Sequence, residues 1–174
     1  MALGPRPICY HCAMADFLPL KQGLVLEYAL KDAEGEGRLR FEVLAVEQKG
    51  QGIKAKCQRT ITRPESEGSQ IKYTVTKDPA KGWLSSSAWG KEFPLPPVVG
   101  KKWRSGSDAC RVDALDAVAE TPAGKFEGCL RVLRLVAGGD EGSEERLYAP
   151  GVGLVRAVSN DESDAYKLAL LKKP

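Results

Sequence analysis

The chain has 174 residues, 26 basic against 23 acidic side chains, a formal net charge of +3 and 43% hydrophobic residues. That length fits one domain burying roughly 70% of the surface its unfolded chain exposes, which needs no disulfide staples, and the composition excludes a disordered chain. Charge is scattered along the sequence rather than gathered on one element, so nucleic acid is not expected as a partner.

Met1–Asp16 lacks the apolar core of a signal peptide, which implies either a cytosolic protein or one whose leader has been removed. Residues 1–15 are expected to be a flexible tail, and 16–174 a single antiparallel β domain. No apolar run approaches a membrane span, so no transmembrane segment is expected. Five cysteines cannot all pair internally. Cys9-Tyr10-His11-Cys12 holds the one close pair. Cys9, His11 and Cys12 are a weak metal candidate, because structural zinc takes four ligands and Cys57, Cys110 and Cys129 each sit alone in a strand-like run. No cofactor is expected.

The clearest alternation runs from Gly37 to Gln48. Leu39, Phe41, Val43 and Ala45 share one face and Arg38, Arg40 and Glu42 the other, until Leu44 and Val46 blur the pattern. Lys49-Gly50-Gln51-Gly52 is a turn into a second run with Ile53, Ala55, Cys57 and Ile61 on one face. Ile71, Tyr73 and Val75 alternate in a third, which makes a meander. Trp83-Leu84 and Lys91-Glu92-Phe93 read as short strands, and Pro94, Pro96 and Pro97 then forbid a central ladder, so an edge or a connection is expected there.

Helix and strand compete twice. Val112, Leu115, Asp116 and Ala119 recur at helical spacing, and 164–173 carries acidic residues before basic ones, as helices prefer. Strands are nonetheless expected over 108–120 and 164–173. Thr121-Pro122-Ala123-Gly124 is too short a link for anything but a hairpin, and Tyr166, Leu168 and Leu170 alternate with period two. A turn centred near Ala123-Gly124 would set Cys110 opposite a residue near Ala137 and Cys129 opposite one near Val118, so these thiols are not partners. Tyr148-Ala149-Pro150-Gly151-Val152-Gly153-Leu154-Val155 is a further turn between strands, because a phosphate loop would need a third glycine and a helix start.

Four segments carry a resemblance: Phe17-Leu18-Pro19-Leu20-Lys21-Gln22-Gly23; Phe93-Pro94-Leu95-Pro96 through Gly100 and Trp103; Thr121-Pro122-Ala123-Gly124-Lys125-Phe126 with Cys129-Leu130-Arg131-Val132; and Tyr148 through Val155. In order and spacing the chain resembles a family of mostly uncharacterised bacterial all-β proteins, distantly similar to the lipoprotein-carrier superfamily typified by LolA and LolB. The resemblance implies an all-β fold in which a strongly curved antiparallel sheet forms an incomplete β-barrel with a concave side open to an apolar ligand. It also implies export to the bacterial envelope, often as a lipoprotein. The carriers place an amphipathic helix as a lid in the concave face. The only place for such a helix here is 108–120, so minor α content stays open.

Catalysis is not expected. His11 is the only histidine and lies in the tail, Asp113/Asp116 read as surface, and Glu144/Glu145 sit in the Gly- and Glu-rich stretch 138–145, whose composition marks a solvated loop. Trp83, Trp89 and Trp103 cluster with Phe93 in the Pro-rich middle. These four are the candidate ligand-binding residues, with Trp89, among small residues, the one expected to be exposed. Two functions remain: a non-catalytic binding or carrier module for a lipid or apolar small molecule, and a structural or adaptor domain of an envelope assembly that binds a protein partner.

Overall fold

Alternating apolar residues punctuated by glycine turns build the chain into strands, and the computed structural model describes residues 15–136, 142–162 and 164–174. The strands are β1 (Val25–Asp32), β2 (Gly35–Lys49), β3 (Gly52–Thr62), β4 (Ser69–Asp78), β5 (Trp83–Ser86), β6 (Gly90–Pro94), β7 (Lys102–Ser105), β8 (Asp108–Thr121), β9 (Gly124–Leu135), β10 (Ser143–Ala149), β11 (Gly153–Ser159) and β12 (Tyr166–Leu170). They form one antiparallel sheet in the order β6-β5-β4-β3-β2-β1-β12-β11-β10-β9-β8-β7, curled into a nearly closed barrel. Among the described residues there is no helix. None, in consequence, is long and apolar enough to cross a membrane.

The meander forms as the alternation implies, with one correction. Leu39, Phe41 and Val43 are buried, but a bulge at Leu44 lets Val43 face Cys57 and Ala45 face Lys56. The extra residue switches faces: Leu44 is exposed and Val46 packs on the core, while Ala45 leaves the inward row. The β2–β3 turn needs Gly50, whose φ of 60° suits a two-residue hairpin turn.

Both contested segments are strands, β8 and β12. The helical spacing of Val112, Leu115 and Ala119 has its origin in two register shifts between Val112 and Ala117 that each add a residue to β8 and break the period of two; a third shift, before Ala119, adds its residue to β9. The hairpin turns two residues earlier in register sum than the sequence implies. Thr121 pairs with Gly124, so Cys110 faces Arg134, three residues before Ala137, while Cys129 faces Ala117, next to Val118 as expected. Pro122 presets the first turn dihedral, and the Thr121 hydroxyl accepts the Ala123 N–H at 3.1 Å, which places the bend at Pro122-Ala123. Cys57, Cys110 and Cys129 are free and buried.

The tip of the β8–β9 hairpin reaches back across β10 and β11, where the Ala123 N–H donates to Leu170 O at 3.0 Å. Leu147 is buried, although it lies on the opposite face of β10 from Arg146. The N-terminal stretch Phe17–Leu20 crosses one end of the barrel as a plug. Asp16 O accepts from the Gly151 N–H at 2.7 Å, and Lys77 Nζ at the end of β4 reaches Asp16 Oδ1 at 2.7 Å and Leu18 O at 2.8 Å. Phe17, Leu18 and Leu20 are all buried.

Pro94 lies on an edge strand, as its missing N–H requires, and β6 and β7 face each other across the one seam that no backbone ladder closes. Side chains close it instead. Trp103 Nε1 donates to Lys91 O at 3.2 Å, Ser105 Oγ to Trp89 O at 2.8 Å, and Trp83 and Trp103 pack with ring centroids 5.7 Å apart. Alternate carbonyls of the β6 edge thus find donors that a neighbouring strand would otherwise supply.

The plug is fitted to Gly153. Its φ is +114°, and an added Cβ would stand 3.2 Å from both Leu18 Cδ1 and Leu26 Cδ1. Gly153→Ala is expected to cost about 2 kcal/mol, read as a lower thermal midpoint by calorimetry; an unchanged midpoint would show that the plug does not rest on this turn.

Candidate functional site

Inward positions of β1 to β5 are apolar near the plug: Leu26, Leu39, Phe41, Val75 and Leu84 line a cavity of about 320 Å³, with Leu18 of the plug as its floor. At the opposite end the same inward rows turn polar. Asp32, Trp89, Arg134, Glu144 and Tyr166 surround the space there, and Arg59, paired in register with Phe41, stands between the two halves. The volume falls at the lower end of ligand pockets, and its lining is graded from hydrocarbon to charge.

The polar half is a buried ion cluster. Arg146 on β10 contacts Glu92 on β6 and Glu144 on its own strand. Glu144 also accepts from the Tyr166 hydroxyl, and Tyr148 Oη lies 3.3 Å from Glu92 Oε2. Arg134 extends the network to Asp108 at 3.7 Å and Glu144 at 3.8 Å. The side chains of Glu92 and Glu144 are 9% and 7% exposed, so each charge depends on its partners for the solvation that water would provide.

Protonation states follow. Burial pushes the Glu144 carboxyl up, but the Arg146 guanidinium, the Tyr166 hydroxyl and Arg134 outweigh it and hold the group below the usual carboxylate range. Burial works against the charge on Arg146 too, yet Glu92 foremost, with Glu144, keeps it protonated far above the normal guanidinium range. Burial raises Tyr148 and Tyr166, leaving their hydroxyls protonated as donors to the carboxylates. Burial likewise pushes the Cys57 thiol up to about 11, so it packs as a small apolar group.

Of the four aromatic candidates, Trp89 alone lines this cavity. It is half-buried rather than exposed, with Tyr73 edge-on at 4.8 Å and the Arg59 guanidinium 5.2 Å from its ring centroid. Trp83 and Trp103 belong to the seam, where Lys91 Nζ lies 4.5 Å over the Trp83 ring. Phe93 is buried against Tyr148 with centroids 5.0 Å apart. Cys9, His11 and Cys12 lie outside the described residues, among which no three His, Cys, Asp or Glu side chains are placed to share a metal.

Glu144 overturns its reading as loop. It is the second residue of β10 and is buried, because the solvated composition ends at Gly142 and the strand starts at Ser143. Glu145, on the outer face, pairs with Arg131 at 2.6 Å, and Asp113 pairs with Arg111 at 2.9 Å. Glu144, Arg146 and Tyr148 recur with period two, and that polar alternation is the signal which sequence reasoning passed over.

Comparison with known proteins gives the fold a place. No family model matches the chain, and no curated protein matches it in sequence. Two crystal structures do match. One is a "putative exported protein with YmcC-like fold" from Bacteroides fragilis, with TM-score 0.67 and 15% identity, covering 92% of this chain and 99% of that one. The other is a "putative lipoprotein" from Parabacteroides distasonis, with TM-score 0.62 and 16% identity, covering 92% and 99%. At such identities the likeness is one of fold: the chain shares the architecture of these two proteins. No family is identified by it.

Because Glu144 titrates below its unfolded value, its contribution is complete above the unfolded carboxylate pKa of about 4.3 and disappears as pH falls through the lower folded value. Glu144→Gln is expected to lose about 2–3 kcal/mol at pH 7, and to show a shallower further loss between about pH 5 and pH 3 than the native chain, in urea titrations at each pH. Parallel acid profiles for the two proteins would remove the carboxylate from this role.

Proposed function

We propose that the barrel is a non-catalytic binding module that holds an apolar or lipid-like molecule, and that it works in the bacterial envelope. The carrying observation is the cavity of about 320 Å³, whose apolar half the protein's own side chains leave unfilled. Burial there is worth about 0.8 kcal/mol per CH₂ group, enough to retain a chain of several carbons without a strong polar contact. The buried carboxylates are engaged with Arg146 and Arg134, which supports a structural use of their charge over acid–base work. Export is supported by the two structural neighbours, one described as exported and the other as a lipoprotein, and the resemblance to lipoprotein carriers reads the same way.

Native mass spectrometry of freshly purified protein is expected to show an apolar adduct that denaturation releases. Val75→Phe is expected to abolish the adduct, because Val75 is buried and lines the cavity and the larger ring occupies it. The substitution should leave the thermal midpoint within a few degrees, since the space already exists. A ligand-free native mass, together with failure to bind an added fluorescent fatty acid, would favour the adaptor reading with a protein partner.

A further inference from the structure

We infer that the cavity selects an anionic single-chain amphiphile, with the Arg59 guanidinium as the receptor for a carboxylate or phosphate head. The inference rests on the binding reading above and adds the chemistry of the ligand's head and its number of chains.

The charges around the cavity are already matched, with one exception on the cationic side. Asp32 holds Arg63 at 2.6 Å, Glu92 and Glu144 hold Arg146, and Arg134 is shared between Asp108 and Glu144. Arg59 lines the same space and is half-buried, yet among the described residues no carboxylate or carbonyl accepts from it. Its one close partner is the Trp89 ring, 5.2 Å from its Cζ. Stacking uses the face of a guanidinium and leaves the N–H donors at its edge free, in the fork that suits a planar carboxylate or two phosphate oxygens.

The platform beneath Arg59 is fixed. Trp89 is held edge-on by Tyr73 at 4.8 Å, and its carbonyl accepts from Ser105 Oγ at 2.8 Å. Asp164 also reaches the cavity lining but is exposed, where water screens its repulsion of an incoming anion.

Size limits the rest of the ligand. A cavity of about 320 Å³ stands at the lower end of ligand pockets, which favours a single alkyl chain over a two-chain lipid. The apolar rows toward Leu18 would take the tail, and Arg59, between Phe41 and the Trp89 ring where the polar half begins, the head.

Isothermal titration with decanoate, decyl phosphate, decanol and decyltrimethylammonium, each below its micelle concentration, separates the possibilities in the native chain and in Arg59→Gln. Decanoate or decyl phosphate is expected to bind roughly tenfold or more tightly than decanol, the cation most weakly, and Arg59→Gln should erase the difference between anion and alcohol. Arg59→Gln strands no carboxylate, so its thermal midpoint should stay near that of the native protein, and a folded variant with unchanged decanoate affinity would overturn the inference. Equal binding of decanol and decanoate to the native chain would also overturn it while leaving the apolar cavity as a binding site. Acetate or inorganic phosphate binding as tightly as its decyl counterpart would make this a small-anion site and refute the amphiphile. If none of the four decyl compounds binds, both this inference and the binding reading fail.

Discussion

The contact on which the rest of the structure depends is the one between Glu92 and Arg146. β6 and β10 are not neighbours in the sheet: the open seam and then β7, β8 and β9 lie between them. A carboxylate on one and a guanidinium on the other therefore meet across the interior, and they tie together the two flanks that no backbone ladder joins. Burying such charges is costly, and only close pairing offsets the cost. Tyr148 and Tyr166 add hydroxyl donors and Glu144 a second carboxylate, so the clasp is satisfied on all sides in one arrangement of the strands. The bonds from Trp103 and Ser105 to β6 carbonyls complete the closure at the edge itself.

That clasp also decides what the interior is like. A hydrophobic seam would have left a uniformly apolar core, free to collapse on itself. Ionic groups fixed toward one end hold the flanks at a set separation, and the plug at the other end adds Leu18 to a row of hydrocarbon side chains. The result is a polarity gradient along the barrel axis. It comes from two features far apart in sequence, an N-terminal strap and the β6–β10 ion pair, and neither has a meaning without the fold that brings them together.

Much of the architecture was legible in the chain. Leu39, Phe41 and Val43 followed by Ala55 and Cys57 write two strands with one inward face, and Pro94 marks an edge. What hid the rest was the change of rule inside a barrel, where inward residues are free to be polar. The Glu144-x-Arg146-x-Tyr148 alternation obeys the period of two with its chemistry reversed, and the Gly- and Glu-rich stretch before it masked where the strand begins. Bulges hid more: one at Leu44 moved Val46 inward, and two in β8 gave it the spacing of a helix. The candidate tryptophans were legible as aromatic, but whether they closed a seam or lined a space depended on pairings of β6 with β7 that local sequence does not encode. Arg59 gave no signal at all, since its unpaired state is visible only once every other charge has found its partner.

Strand number explains why the interior holds so much that is not simple core. Eight strands make a barrel that its own side chains just fill, and the lumen widens with each strand added. The twelve strands described here enclose more than one inward row of side chains per strand can occupy. Three things take up the excess: the plug, the ion cluster and the empty space between them. The plug is an extended strap, and it closes that end alone. With one end stopped by leucines and the other ringed by charge, the remaining volume is asymmetric, and any molecule that fills it well must share that asymmetry. The proposed preference for an amphiphile thus rests on the closure of a wide sheet by ions at one end and by a strap at the other, before any single residue is assigned to recognition.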